Sequence, residues 1–228
     1  MENFEAPYLS TSVSKFWQNW HISLTSWFRD YLYIPLGGSR KGTLRKYSNK
    51  IVIFLVSGLW HGANLTFVLW GLLNGIYQVA GDILKPLRDK FVSFFSLNRN
   101  SFGHKLVQIL WTILLISFSW IFFRAKNITE AFDIIRQIAT VRNPWILFDG
   151  SLYDCGLNSK NFGLLTLCIG ILLVADFCKT KGIEIRNIMQ RQDRWFRCIF
   201  VAFAILVLLI FGMWGPGYDA SVFVYFQF

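Results

Sequence analysis

The chain has 228 residues, of which 54% are hydrophobic and only 16% are charged, and its formal net charge is +10. Soluble domains carry about 25% charged residues, so this composition excludes an ordinary water-soluble protein. The 23 phenylalanines, 10 tryptophans and 8 tyrosines exclude intrinsic disorder, because so apolar a chain does not stay solvated. The basic residues stand between long apolar runs, which argues against nucleic-acid binding. The composition therefore predicts an integral membrane protein.

The first predicted element is an amphipathic helix over residues 14–31. Apolar and aromatic side chains recur there at helical spacing with polar ones between them, a pattern typical of helices at the membrane interface. The apolar set comprises Phe16, Trp17, Trp20, Leu24, Trp27, Phe28 and Tyr31. A turn at Gly37 and Gly38 follows, and then a basic loop over residues 40–50. This loop is either a solvated surface near anionic lipid or a docking surface for an acidic or phosphate-bearing partner.

Four apolar stretches come next, at residues 51–84, 106–123, 162–178 and 196–214. A spanning helix needs about 20 apolar residues, so each of the last three predicts one span. The first stretch has 34 residues and is interrupted by polar and glycine positions. It is either one long tilted span or a re-entrant hairpin of shorter pieces.

The distribution of positive charge favours the hairpin. Lysine and arginine number seven in residues 1–50, five in 85–105, five in 124–160 and six in 179–197. If 51–84 returns to its starting side, 18 of the 23 basic residues share one side, whereas a single crossing divides them 12 to 11. Cytoplasmic loops carry the excess of positive charge, so 1–50 and 85–105 are placed in the cytoplasm. The predicted fold is an all-α, multi-span helical bundle with a re-entrant or hairpin segment and an interfacial helix.

His61 lies deep in the 51–84 stretch, where an ionisable side chain usually faces a cavity or a partner. On a helical projection one sector of this stretch is polar or small, and the remainder is aliphatic or aromatic. The sector comprises Ser57, His61, Asn64, Gly71, Gly75 and Gln78. The pairs Gly58/Gly62 and Gly71/Gly75 have the spacing that lets helix backbones approach closely. His61 is therefore either a satisfied structural histidine or a proton acceptor in a dry cavity.

The chain has two other histidines. His21 shares a predicted face with Trp17, Leu24 and Phe28, where a packed histidine is the commoner outcome and a functional one is the alternative. His104 stands at the entrance to a span and is predicted to be a polar interface residue. No Ser-His-Asp arrangement, nucleophile elbow, phosphate loop or nicotinamide fingerprint is evident. Histidines 40 residues apart match no metal-ligand spacing, so neither a metal nor a bound cofactor is expected.

Two motifs resemble a known family. The first is FWQNWHIS at residues 16–23 with its continuation through WFRDYLYIPLGG, and the second is SGLWHGA at residues 57–63. Both are similar to the membrane-bound O-acyltransferase family, in particular its bacterial alginate O-acetyltransferase branch. FSWIFFRA at 118–125 and the terminal YFQF at 225–228 also resemble this branch.

The resemblance implies transfer of an acyl group, commonly acetyl, from a thioester to a hydroxyl of an exported polysaccharide or another cell-envelope acceptor. It implies that His61 is the general base and that His21 orients substrate or polarises the thioester carbonyl. Further side chains are expected to shape the substrate tunnel, namely Trp20, Arg29, Asp30, Trp60 and Asn64. The implied donor is acetyl-CoA or an acyl carrier, whose phosphates would meet residues 40–50. The implied location is the bacterial inner membrane, where this branch often works with separate extracytoplasmic acyltransferases.

Members of this family are typically about twice as long, with several spans before the first histidine motif. Residues 1–228 are therefore expected to be the C-terminal part of an acyltransferase domain, with the other half missing or supplied by another polypeptide. Two alternatives stay open at the level of sequence. One is a non-catalytic membrane subunit or inactive remnant of such an enzyme. The other is a transporter, although the spans lack intramembrane carboxylates apart from Asp176 near a span end.

Overall fold

A computed structural model describes residues 2–146, 148–155 and 158–212. Within these ranges the secondary structure is helical, apart from an isolated β-bridge between Phe4 and Trp20. This confirms the all-α prediction. The helices are α1 (Val13–Asn19), α2 (Ile22–Phe28), α3 (Thr43–His61), α4 (Leu65–Ile83), α5 (Lys85–Phe94), α6 (Phe102–Arg124), α7 (Ile128–Thr140), α8 (Ser159–Thr180), α9 (Ile185–Gln190) and α10 (Arg194–Phe211).

Three of these helices, α6, α8 and α10, are long and apolar enough to cross a membrane. Helices α4 and α5, bent by 49° relative to each other, would make a fourth crossing if they act as one span. The predicted stretches 106–123 and 162–178 lie inside α6 and α8, and α10 covers most of 196–214. Residues 213 and 214, like the motif at 225–228, lie outside the described residues. The chain divides into two compact units, residues 1–170 and 171–228, and the candidate site lies in the first.

Residues 51–84 form two helices that pack against each other as a hairpin. A methyl group added at Gly58 would overlap the carbonyl oxygen of Phe67, and one added at Gly71 would overlap that of Phe54. These partners run in opposite order along α3 and α4, so the two helices are antiparallel. The alternative of one long span is wrong, because Gly62 ends α3 and the Asn64 side chain accepts a hydrogen bond from Thr66 N to begin α4.

Ion pairs between α3 and α4 hold the open end of the hairpin together. Asp82 near the end of α4 pairs with Lys46 and, at 2.9 Å, with Lys50 in the first turns of α3. Each helix has 19 residues, which corresponds to about 28 Å at 1.5 Å per residue. This is close to the roughly 30 Å thickness of a bilayer hydrocarbon core. His61 therefore lies at the end of the hairpin opposite the ion pairs.

The prediction of one continuous helix over residues 14–31 is wrong. The chain breaks at Trp20 and His21 into α1 and α2, and His21 adopts the left-handed conformation with φ 46° and ψ 55°. Hydrogen bonds from Thr25 of α2 and to Asn3 near the N-terminus stabilise the break. Thr25 donates its hydroxyl hydrogen to the carbonyl oxygens of Trp17 and Trp20, and Asn3 accepts hydrogen bonds from Ile22 N and Ser23 N.

Helix α1 packs in the protein core, where an interfacial position was expected. Its residues Val13, Phe16, Trp17 and Asn19 are buried, and α1 contacts α4 and α6. Helix α2 leaves Trp27 52% exposed and is followed by a π-helical turn over Arg29–Tyr33 that leaves Tyr31 69% exposed. The amphipathic character predicted for the whole segment is therefore retained only in its second half.

The predicted basic loop is also shorter than expected, since α3 begins at Thr43. Residues 40–42 are exposed, whereas 43–50 form the first turns of the helix. The buried Asn49 donates hydrogen bonds to the carbonyl oxygens of Leu36 and Gly38, at 3.3 and 3.0 Å. These bonds hold the glycine turn against α3, so the exposed cations have a defined position.

We expect Gly71→Ala to force α3 and α4 apart, because the added methyl group meets backbone that cannot move independently. The thermal midpoint of the purified protein in detergent should fall by several degrees. Gly81→Ala in the same helix is the matched control, since no described atom lies within 4 Å of its added carbon, and it should leave the midpoint unchanged or slightly raised. Equal midpoints for the two variants would contradict the close packing.

Candidate active site

His61 is the last residue of α3 and is only 8% exposed. Its imidazole ring is surrounded by aromatic rings, with centroids 4.8 Å from Trp60, 5.4 Å from Trp70 and 5.0 Å from Phe123. All three pairs are edge-to-face, with interplanar angles of 77–89°. Such packing fixes the orientation of the imidazole and keeps water from most of its surface. His61 is therefore held in a largely apolar pocket formed by α3, α4 and α6.

A cluster of four tryptophans extends from His61 toward His21. Trp70 stacks on Trp120 with centroids 6.1 Å apart, and Trp120 lies 5.6 Å from Trp20. Trp17 contacts Trp70 edge-to-face at 5.5 Å. Since Trp20 immediately precedes His21, the cluster brings together two histidines that are 40 positions apart in the sequence.

His21 stands at the break between α1 and α2, in a backbone conformation that costs most residues about 1–2 kcal/mol. Burial lowers the pKa of its imidazole, so the ring is neutral at neutral pH. Its Nδ1 atom is buried and has no hydrogen-bond partner on another described residue. His21 is near enough to His61 for the two rings to interact electrostatically. A strained, partly exposed histidine with one buried, unpaired nitrogen is typical of a functional position.

One face of α4 carries three fully buried residues, Thr66, Trp70 and Asn74, each 0–1% exposed. They are spaced four apart and therefore lie on one face of the helix. Asn74 accepts a hydrogen bond of 3.0 Å from Trp17 Nε1 and donates one of 2.9 Å to the carbonyl oxygen of Trp70. None of these three residues belongs to the polar sector predicted from the sequence. An asparagine inside an apolar helix was the available signal, because a buried amide requires partners.

The structure brings some predicted site residues together and separates others. Trp20 packs against Trp120 in the tryptophan cluster, and Trp60 packs against His61 although it is 54% exposed. Asn64 caps α4 and donates a 2.8 Å hydrogen bond to the carbonyl oxygen of Lys126, which ties the closed end of the hairpin to the end of α6. Arg29 and Asp30 form an exposed ion pair with each other at 2.8 Å, 60% and 47% exposed. Neither residue belongs to the group of aromatic side chains around the two histidines.

His104 lies in the first turn of α6, where its backbone N–H donates to the Ser101 hydroxyl. It is thus near the end of α6 opposite Trp120 and Phe123. Within the described part of the chain, no three His, Cys, Asp or Glu side chains lie close enough together to hold a metal ion. The chemistry of this part of the molecule is that of one buried imidazole, His61, and one partly buried imidazole, His21, among aromatic rings.

Comparison with known proteins identifies the family. The sequence pattern of the MBOAT, membrane-bound O-acyltransferase, family matches residues 1–124. This region contains both histidines, the hairpin and all four clustered tryptophans. The chain belongs to the membrane-bound O-acyltransferase family.

Three relatives illustrate the range of this family. A probable alginate O-acetylase, AlgI, of Pseudomonas fluorescens is 44% identical over 58% of this chain and 24% of its own length. A peptidoglycan O-acetyltransferase of Helicobacter pylori is 30% identical over 99% of this chain and 42% of its own. A teichoic acid D-alanyltransferase of Streptococcus thermophilus is 32% identical over 69% of this chain and 35% of its own. The chain thus spans 24–42% of the length of these three relatives.

We expect Trp17→Phe to lower the free energy of unfolding by about 1–2 kcal/mol, because it leaves the Asn74 side-chain oxygen buried without its donor. Thermal unfolding in detergent measures the loss. Trp27→Phe is the control, since Trp27 is 52% exposed. A double variant that also carries Asn74→Leu should recover part of the loss. Additive effects of the two changes would contradict the hydrogen bond as its source.

Proposed function

We propose that this membrane protein transfers an acyl group, most simply an acetyl group, from a thioester to a hydroxyl of an exported polysaccharide or another cell-envelope acceptor. The observation that carries the proposal is the placement of His61, buried among aromatic rings beside His21 within the region that matches the family. The names of the three relatives support envelope polymers as acceptors, since alginate, peptidoglycan and teichoic acid are all polymers of the cell surface.

In this proposal a ring nitrogen of His61 acts as the general base. It accepts the proton of the acceptor hydroxyl while the hydroxyl oxygen attacks the thioester carbonyl carbon, whose π electrons move to the carbonyl oxygen. Collapse of the tetrahedral intermediate breaks the carbon–sulfur bond, and the departing thiolate takes the proton back from His61. The products are an ester and a free thiol. The surrounding aromatic rings exclude water, which would otherwise compete as the acceptor.

His21 is assigned a positioning role. Its buried, unpaired Nδ1 atom is available to a substrate polar group, either the acceptor hydroxyl or the thioester carbonyl. Trp20 and Trp60 are assigned to the walls of the substrate path because Trp20 packs against Trp120 and Trp60 packs against His61. Asn64 supports that path through its bond to Lys126, whereas Arg29 and Asp30 are placed at its exposed margin.

The acyl donor is proposed to be acetyl-CoA or an acyl carrier that approaches from the cytoplasmic side. The exposed Arg40 and Lys41 lie next to the open end of the α3–α4 hairpin, where cations would meet the phosphates of either donor. Lys50 in that end is about 17 Å along α3 from His61, by 1.5 Å per residue. Donors of this class carry the acyl group on a long flexible arm, which suits an anchor and a reaction centre separated in this way.

The charge distribution supports an inner-membrane, multi-pass arrangement with residues 40–50 and 85–105 on the cytoplasmic side. The expectation that all of residues 1–50 lie there does not fit the structure, because Trp17 of α1 contacts Trp70 and His21 lies near His61, toward the opposite end of the hairpin. The acceptor would then arrive from the opposite side, near the closed end of the hairpin. A separate extracytoplasmic acyltransferase or polysaccharide-export protein is proposed as the partner there, and the remaining spans of a complete acyltransferase belong to the same assembly.

We expect His61→Ala to abolish ester-linked acyl groups on the envelope polymer when the variant replaces the native protein in its own cells. The measurement is the acetate released by mild alkali, with the amount of membrane-inserted protein determined in parallel. His104→Ala is the matched control, since it changes the histidine outside the cluster and should leave acylation intact. Full acylation with His61→Ala would overturn the proposal and favour a non-catalytic subunit or inactive remnant.

We expect the paired change Arg40→Glu and Lys41→Glu to raise KM for the thioester donor about tenfold with little change in kcat, because these cations bind the donor but do not touch the reacting atoms. The measurement is the acyl-transfer rate of the purified protein in lipid vesicles at varied donor concentration. The control is Arg142→Glu, a charge reversal in the 124–160 segment that the charge distribution places on the other side of the membrane. If the variant with both Arg40→Glu and Lys41→Glu has the same KM as the native protein, the donor-binding role of these two residues is contradicted.

A further inference from the structure

Two buried hydrogen-bonding groups on α4 have no protein partner. Thr66 is 0% exposed and Trp70 is 1% exposed, yet neither Thr66 Oγ1 nor Trp70 Nε1 makes a hydrogen bond to any described residue. The next residue on the same face, Asn74, is paired through both its side-chain oxygen and its side-chain nitrogen. Leaving a polar group buried and unpaired costs about 1–3 kcal/mol. Two such groups one helical turn apart therefore require an explanation.

The position of Trp70 supplies one. Its ring centroid is 5.4 Å from that of His61, and the two planes are nearly perpendicular at 89°. Trp17, Trp120 and Phe123 pack against Trp70 at 5.5, 6.1 and 5.2 Å and fix its orientation. The Trp70 ring is thus held rigidly beside the proposed base. Its indole nitrogen can only donate a hydrogen bond, so a partner in a conventional hydrogen bond would carry a lone pair.

We propose that the Trp70 indole N–H, with the Thr66 hydroxyl one turn away, donates hydrogen bonds to the carbonyl oxygen of the acyl thioester bound beside His61. This inference rests on the proposed function and names two residues that contact the reacting group. When the acceptor oxygen attacks, the electron pair displaced from the carbonyl π bond moves to that oxygen. Donors already fixed around it stabilise the developing negative charge without reorganising, and this is their contribution to the rate.

The assignment also accounts for the contrast along α4. Asn74 is satisfied by Trp17 and serves the fold, whereas Thr66 and Trp70 remain unpaired until substrate arrives. Both donors lie on α4, which begins at Leu65, four residues after His61 at the closed end of the hairpin. The base at the end of α3 and the donors near the start of α4 are therefore separated in the chain by a short connection.

The test replaces Trp70 with β-(3-benzothienyl)alanine, in which sulfur takes the place of the indole N–H and the ring shape is retained. We expect kcat for acyl transfer to fall by about 10²- to 10³-fold, with KM for the thioester changed much less and the thermal midpoint unchanged or raised. The same analogue at Trp27, which is exposed, is the control and should leave all three quantities unaltered.

Thr66→Val provides a second variant that preserves shape and removes only the hydroxyl. We expect it to lower kcat about tenfold, and Thr66→Ser to restore most of the rate. The control is Thr112→Val, because Thr112 is 3% exposed and its hydroxyl already donates to the carbonyl oxygen of Gln108 at 2.8 Å. That variant should affect the thermal midpoint more than the rate.

The outcomes separate this proposal from the proposed function. If His61→Ala abolishes transfer while the Trp70 analogue and Thr66→Val stay within threefold of the native rate, the donor assignment is overturned and the proposed function stands. If the native protein forms no His61-dependent ester, both fail together. An increase in KM without a fall in kcat would show that the two groups hold substrate but do not stabilise the reacting oxygen. That result would also overturn the proposal.

Discussion

The close approach of α3 and α4 is the constraint on which the site depends. Gly58 and Gly71 leave no room for even a methyl group between the two backbones, and a Cβ atom added at Gly75 would lie only 3.1 Å from the Cα atom of Ile51. Small residues allow such proximity in membranes, where helix association depends on van der Waals packing more than on the exclusion of water. Since His61 is three residues beyond Gly58, the same contacts that hold the hairpin together fix the height and direction of the imidazole.

The aromatic cluster adds a second requirement, because it must exclude water while retaining a few polar groups. Trp17 resolves this on one side of α4 by donating to Asn74, so the indole contributes apolar surface and satisfies a buried amide at once. On the side nearer His61 the same kind of side chain, Trp70, keeps its N–H unpaired. Buried polar groups are normally satisfied, so the two tryptophans, which are in contact with each other, differ in the hydrogen bonding of their indole nitrogens.

The strained backbone at His21 also depends on contacts with other parts of the protein. Residues that a structure holds in sparsely populated conformations need other contacts to keep them there. Here the N-terminal segment and Thr25 supply them, so the position of His21 is determined by residues on both sides of the break. This makes α1 part of the core, and it brings the first histidine motif to the aromatic cluster that also surrounds the second.

Much of the architecture was predictable from local sequence. The apolar stretches located the spans, and the distribution of positive charge favoured the hairpin. The same reasoning failed at Trp20 and His21, because helical periodicity continues through the break and does not register the hydrogen bonds of Asn3 and Thr25 that stabilise it. It also missed Trp17, Thr66, Trp70 and Asn74 as a polar set, since hydropathy counts tryptophan and threonine by type and does not register whether a hydrogen-bonding atom has a partner.

The sequence by itself determined that this is an all-α membrane protein of the O-acyltransferase family with two marked histidines. Those properties depend on composition, on the length of apolar runs and on short motifs, all of which are local. Only the tertiary structure decided which residues surround the histidines, that Arg29 and Asp30 pair with each other away from them, and which buried donors remain unpaired. The physical reason is that hydrogen-bond satisfaction and ring packing depend on distances between residues far apart in the chain, and the packing of α1 and α6 against the α3–α4 hairpin sets those distances.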